Sequence, residues 1–365
     1  FATVGGDGLW RVEIPAADLQ ALANGSQVVT VSYTEKSGKV ITASETITVD
    51  TTQPAVAIAI LSTDSHLSAA EAEQPMEVRG ITTLYGPGVT LIVTLNGKNY
   101  VATVDGAGNW SASIPSADLQ LLQDGNYTIS ARVSLGSQSA QATQNLDVMI
   151  HDLPKPVLNT PFGDGYVNSA EHAAAQTLSG TTGVKGSWQT VTVTIGNKTW
   201  ETTADANGKW TLNLSAADMA ALATGTLPIT VVAKDAAGNT GQVQGNVTVD
   251  LTPPSLAVLP LTSDNILNLQ EAKAGQTLSG IASIEEQGRT VSVTLNGKNY
   301  TALVGVDGKW AISLSPADLA ALPQGTNNIV ATLTDAAGNT TTINGSFNVK
   351  TLLPTITVTP LTGDN

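Results

Sequence analysis

Acidic residues recur along this 365-residue chain at places that could gather them around a hard cation. Asp235, Asp250, Asp264 and Glu271 form the fullest set. Calcium takes six to eight oxygen ligands at about 2.3–2.6 Å, so three or four carboxylates at one place would meet much of its demand. Related sets lie one or two hundred residues away along the chain. Glu35, Asp50, Asp64 and Glu71 keep four acids. In the next set Leu135 and Ile150 replace the first two, leaving Asp164 and Glu171, with Asp152 displaced by two positions. The last set has Asp335 and Asp364 but places Lys350 where Asp250 stands. Acid content therefore ranks the set containing Asp250 first, then the one with Asp50, then the one with Asp335, and last the one with Asp164. Carboxylates about 4 Å apart repel by roughly 1 kcal/mol per pair in water, so such a cluster should splay without a cation.

Other aspartates have ordinary explanations. Asp18, Asp118, Asp218 and Asp318 each open a short helical turn, where an acid favours the positive helix end. Asp105, Asp205 and Asp307 sit in hairpin turns. The chain has no cysteine, which excludes thiolate metal sites, disulfide scaffolds and cysteine nucleophiles. His66, His151 and His172 do not recur and form no His-x-x-x-His or Ser/His/Asp grouping. Gly5-Gly6-Asp7-Gly8 is a hairpin turn, and Gly163-Asp164-Gly165 does not continue into a dinucleotide-binding fingerprint. No enzyme is expected. Sixteen basic against 30 acidic residues give a net charge of -14, which would repel a phosphate backbone and argues against nucleic acid as a partner. Trp188 alone among the tryptophans has no periodic counterpart; it could contact a ligand, glycan or host protein, or cover a sheet edge.

The elements that must position these residues follow from a repeat. Trp10, Trp110, Trp210 and Trp310 are each 100 residues apart, as are Gly25, Gly125, Gly225 and Gly325. Val49-Asp50 and Val249-Asp250 run into Thr- and Pro-bearing segments, and Pro154 and Pro354 mark the same place elsewhere. The expected domains are therefore 53–152, 153–252 and 253–352, flanked by the second half of a repeat (1–52) and the start of another (353–365), as in a piece of a longer array. Within a repeat the apolar period is two, as at Val291, Val293 and Leu295. Asn296-Gly297 and Asp307-Gly308 supply hairpin turns, predicting a three-strand meander that ends in Trp310, Ile312 and Leu314. Ser315-Pro316-Ala317-Asp318 then reads as an N-cap and one helical turn. About seven short strands per hundred residues predict an all-β chain of tandem immunoglobulin-like β-sandwiches in an elongated rod, each domain with one short helical turn and about 35–45 Å long. Sandwich loops lie at the two ends, so Asp235 and Asp250 can meet Asp264 and Glu271 only across an end-to-end domain junction.

Asn296-Gly297-Lys298-Asn299-Tyr300, Asp307-Gly308-Lys309-Trp310, Ala317-Asp318-Leu319 and Asp335-Ala336-Ala337-Gly338-Asn339 together resemble the bacterial Ig-like repeats of giant non-fimbrial surface adhesins exported by type I secretion. The resemblance spans nearly the whole chain. It implies a monomeric, extracellular rod, held at the bacterial surface and carrying a binding tip toward a host cell. Its partners would be calcium ions between neighbouring repeats, those repeats themselves, and host-cell surface glycans or proteins reached through other parts of the parent protein.

Overall fold

The computed structural model describes residues 1–59 and 65–358. It divides into two compact units, Phe1–His151 and Asp152–Asn365. Three separate apolar cores stand along the chain, drawn from residues between 67 and 150, 167 and 249, and 261 and 349. The chain is all-β, in tandem Ig-like domains with a few short helices.

The last of these domains shows the plan. Leu256–Val258, Gln276–Ala282 and Lys309–Leu314 form a three-stranded sheet. Ile266–Asn268, Thr340–Lys350, Gly325–Thr334, Thr290–Leu295 and Lys298–Leu303 form, in that order, a five-stranded sheet. All pairings are antiparallel except Ile266–Asn268, which lies parallel to the end of the last strand, with Leu267 opposite Val349. The central domain repeats this order strand for strand.

Alternation creates the core. Val291, Val293 and Leu295 are buried while Thr290 and Ser292 face solvent, and Trp310, Ile312 and Leu314 are buried from the other sheet. Two faces of period-two strands closed on each other are what a sandwich requires. Trp110, Trp210 and Trp310 retain only 3%, 2% and 1% exposure. Each lies against a glycine on the neighbouring strand. A Cβ on Gly280 would fall 2.3 Å from Trp310 Cζ2 and 2.0 Å from the Ala257 carbonyl oxygen, and Gly80 and Gly180 stand in the same relation to Trp110 and Trp210. The indole fills the space that a side chain at that position would take, at the close packing typical of interiors.

The expected meander is corrected. Asn296-Gly297 does turn Thr290–Leu295 into Lys298–Leu303, with Asn296 at φ 47° and Gly297 at 75°. The third strand, however, leaves that sheet: Lys309–Leu314 pairs with Gln276–Ala282, placing Gly280 opposite Trp310. Val304, buried at the crossing, carries the chain from one layer to the other. Crossing lets Trp310 cap the second sheet, whereas a continued meander would leave that sheet without its central apolar residues.

Residues 1–52 form one helical turn, Ala16–Gln20, and the antiparallel hairpin of Gly25–Thr34 with Val40–Val49. Trp10 is 50% exposed. The strand that covers Trp110, Met76–Thr82, has no counterpart among residues 1–52.

Candidate functional site

Among the described residues, strand pairing divides the expected acidic sets. Gly225–Lys234 pairs with Thr240–Val249 so that Gly225 faces Val249 and Lys234 faces Thr240. Asp235 therefore sits at the turn and Asp250 at the opposite end, separated by a ten-residue strand, or about 30 Å. Glu35 and Asp50 are set apart in the same way by the first hairpin, in which Gly25 faces Val49.

Most of the predicted ligands hold their own backbone. Asp235 accepts bonds from the Asn239 backbone N–H (2.9 Å) and Nδ2 (2.8 Å). Asp164 accepts from the Tyr166 N–H, Asp264 from Ile266, and Asp50 from Thr52. The Ile266 N–H holds the Asp264 carboxyl below the usual carboxylate range, and Thr52 does the same for Asp50. Glu71, Glu171 and Glu271 are the third residues of capping boxes begun by Ser68, Asn168 and Asn268. Glu35 accepts from the Ser37 hydroxyl. Asp64 and Asp364 lie outside the described residues. Among the described residues no three His, Cys, Asp or Glu side chains converge closely enough to hold one ion.

The second unit instead contains a junction built around Asn339, which the sequence reading had placed only in a hairpin loop. Strand pairing carries the loop Asp335-Ala336-Ala337-Gly338-Asn339 to the end of its domain that meets the preceding one. Asp335 closes that loop, accepting the Asn339 N–H at 2.8 Å and its Nδ2 at 2.9 Å. The same amide then reaches across: Nδ2 donates to the Asp250 carbonyl oxygen at 2.8 Å, and Oδ1 accepts the Ser169 N–H at 2.9 Å. Gly338, at φ 95°, comes so close that an added Cβ would stand 3.1 Å from Asn168 Nδ2. Thr341 Oγ1 ties the linker by donating to the Pro254 carbonyl at 2.6 Å. Asp335, Ala337 and Asn339 are buried, at 5%, 1% and 6% exposure. One amide thus satisfies groups from both domains and its own loop, so its polar atoms are buried without being left unpaired.

The junction also has an acidic side. Glu286 is buried, and burial first, then the charge of Asp335, pushes its carboxyl above the usual range; Arg289 opposes this, while Glu285 and Asp250 add to it. Asp250, Glu286 and Asp335 therefore share one electrostatic neighbourhood with an excess of negative charge. Neither Glu286 nor Asn339 was legible as a junction residue, because the groups each one meets there, Asp250 among them, lie far away in the chain. Counting the ten-residue hairpin would have moved the Asp335 loop to the correct end of its domain.

No curated protein matches the chain. Among solved structures, one from work on host-cell surface retention of a 1.5-MDa bacterial ice-binding adhesin is 29% identical, with 82% of this chain and 98% of that chain covered at a TM-score of 0.40. Another, from a calcium-stabilised adhesin of an Antarctic bacterium described as reaching out to bind ice, is 29% identical, covering 95% of this chain and 86% of that one at a TM-score of 0.37. A single bacterial immunoglobulin-like domain from the M. primoryensis ice-binding adhesin is 35% identical, covering 27% of this chain and 99% of that chain at a TM-score of 0.23. The family model of the bacterial Ig-like domain matches residues 166–251 and 263–351, and over these two segments the chain is a tandem of bacterial Ig-like domains.

Proposed function

We propose that this chain is a structural spacer of a bacterial surface adhesin, displayed outside the cell after type I secretion, whose Ig-like repeats hold their direction through built junctions. The supporting observation is Asn339, whose one side chain closes its own loop and engages the preceding domain at both Asp250 and Ser169. Such a contact restricts bending without needing a large apolar interface, which suits domains whose surfaces must stay soluble. Charge of the same sign along the chain keeps copies apart.

Calcium belongs to this reading as the ion that would neutralise the acidic side of the junction. Asp250, Glu286 and Asp335, whose charges act on one another there, would attract the ion without closing around it, so backbone carbonyls and water would supply most of its shell, while the grouping of Asp235, Asp250, Asp264 and Glu271 is divided by the hairpin. The ion would supply positive charge beside Glu286, whose carboxyl is buried in the field of Asp335 and Asp250.

Small-angle scattering of the parent chain and of Asn339→Ala, each with millimolar calcium and with chelator, tests the spacer. The variant is expected to lose maximum dimension and stiffness in both conditions; an unchanged profile would remove Asn339 as the source of stiffness. Calorimetric calcium titration, with thermal unfolding in parallel, tests the ion, because ligand that binds the native state must raise stability by RT ln(1 + [L]/Kd). Asp250→Ala should weaken that binding. Neither heat nor thermal shift in the parent would leave the junction metal-independent.

A further inference from the structure

The three complete repeats act as internal controls for one another, and at one loop the central repeat departs from both neighbours. Residues 183–189 align without gaps with 83–89 and 283–289. Gly88 and Gly288 occupy a left-handed backbone position, at φ 87° and 81°. The central repeat keeps that conformation, at φ 64°, but places Trp188 there. Such a backbone is costly for a bulky side chain, and strain of this kind concentrates at functional sites. Burial does not offset it, since Trp188 is 85% exposed.

The loop is held by other departures. Gln189, at 1% exposure, stands where the neighbours have Val89 and Arg289. Its Nε2 donates to the Gly186 carbonyl at 2.9 Å, and its Oε1 accepts from the buried Thr182 hydroxyl. Gly186 N–H in turn donates to Ala206 O at 3.0 Å. Charge differs as well. Lys185 replaces Tyr85 and Glu285, and Lys155, whose N–H donates to Thr182 O at the foot of the loop, replaces Ala55 and Ser255. An exposed indole on a braced loop, with one repeat-specific lysine three residues before it and another tied by its backbone to the foot of the loop, is thus set on a chain of net charge -14.

We infer that the Trp188 loop is a binding site for acidic saccharides, with the indole face stacking on a sugar ring and Lys185 and Lys155 pairing with its carboxylate. The C–H groups of a sugar ring carry partial positive charge and meet the negative face of the indole. A carboxylate on the same sugar meets the lysines through charge-assisted bonds. A single ring and one charge suit so small a footprint. A protein partner would need a wider apolar surround than Gly186 and Ser187 provide, and an anionic membrane would be repelled by the rest of the chain. This site does not rest on the spacer reading.

The test uses the 365-residue chain, with sialyllactose and oligogalacturonate as acidic probes, lactose as the neutral control, and phosphatidylserine vesicles, followed by tryptophan fluorescence and calorimetry. Trp188→Gly restores the residue of the sister repeats, so it should fold with an unchanged or higher unfolding midpoint. Lys185→Glu restores the charge that the last complete repeat carries at Glu285. Binding of at least one acidic probe that falls tenfold or more in each variant, with lactose weaker than the acidic probe, is the expected result. No binding to either acidic probe, equal binding by Trp188→Gly, or Trp188-dependent binding to vesicles alone would overturn it.

Discussion

Asp118 and Asp318 show how far a single residue can be read from sequence. Their place at a helix start was legible from the short motif that follows the tryptophan strand, and at Asp318 the capping box with Ser315 is formed. At Asp118 the preceding N-cap is Pro115, which offers no side-chain oxygen, and no side-chain cap bond is made. Asp118 instead accepts from Lys98 Nζ at 2.6 Å and from the Tyr100 hydroxyl at 3.1 Å. The corresponding tie joins Lys298 to Asp318, while in the central repeat Trp200 Nε1 donates to Asp218 at 3.1 Å. These partners lie 18–20 residues away on an edge strand, so only the folded register reveals them. Burial, then the Asp118 hydrogen bond and charge, pushes the Tyr100 hydroxyl up to about 12. Because its folded-state pKa is raised, the contribution of Tyr100 to stability is fully present below about pH 10 and is lost as pH climbs toward 12. Asp118→Asn should lower the Tyr100 pKa part of the way toward 10, readable by NMR of the ring carbons; an unchanged titration would assign the whole shift to burial. Asp118 itself is held below the usual range, with the Lys98 bond as the largest cause. Its contribution has the opposite sign: present above the ordinary aspartate range and lost on acidification through it.

At the scale of elements, strand period and turn chemistry reported most of what formed. The Asn296-Gly297 hairpin, the alternation of Val291, Val293 and Leu295, and the serine-capped turns were all legible because each depends on neighbours within a few residues. The crossing after Leu303 was not, because a strand's choice of partner depends on which face lacks a core. Gly280 supplies the missing information only once Trp310 is known to lie opposite it. Gly280→Ala should therefore destabilise its domain by about 3 kcal/mol or more, since the added carbon meets both the indole and a backbone carbonyl. Chemical denaturation would measure it, and a cost below about 1 kcal/mol would show that the sheets part readily there. The caps give a milder contrast. Ser315→Ala removes an oxygen that accepts the Asp318 N–H at 3.2 Å and should cost about 1 kcal/mol. Pro115→Ser, adding that oxygen at a matching extended backbone, should gain a few tenths to about 1 kcal/mol in the same assay.

For the whole molecule, the hundred-residue step announced tandem domains, and the acidic residues near Asp250 directed attention to their junctions. What sequence could not supply was the direction in which each hairpin points. Asp235 and Asp250 are close in the chain yet lie at opposite ends of one domain, whereas Asp250 and Asp335 are 85 positions apart and share the charge field of Glu286. Glu286 makes that junction testable by pH. Its carboxyl is raised above the usual range in the fold, so the native state keeps the proton to higher pH than the unfolded chain does. The sign follows: any stability it lends is present below the ordinary glutamate range and is withdrawn as pH rises through the raised value. Glu286→Gln removes the charge while keeping the shape. In chelator at pH 7 the variant should be more stable than the parent by about 1 kcal/mol, or about 4–8 °C for a domain of this size. The difference should shrink on acidification, even though Asp264, Asp307 and Asp318, all held low, weaken both proteins there. Millimolar calcium should narrow or reverse the gap at pH 7, because an ion drawn to this junction would offset a repulsion that only the parent carries. Thermal unfolding of both proteins across pH, with and without calcium, reads all of these effects. If the two curves coincide in chelator at every pH, Glu286 carries no electrostatic cost; if calcium then raises both equally, the ion is held elsewhere and the junction owes its stiffness to Asn339.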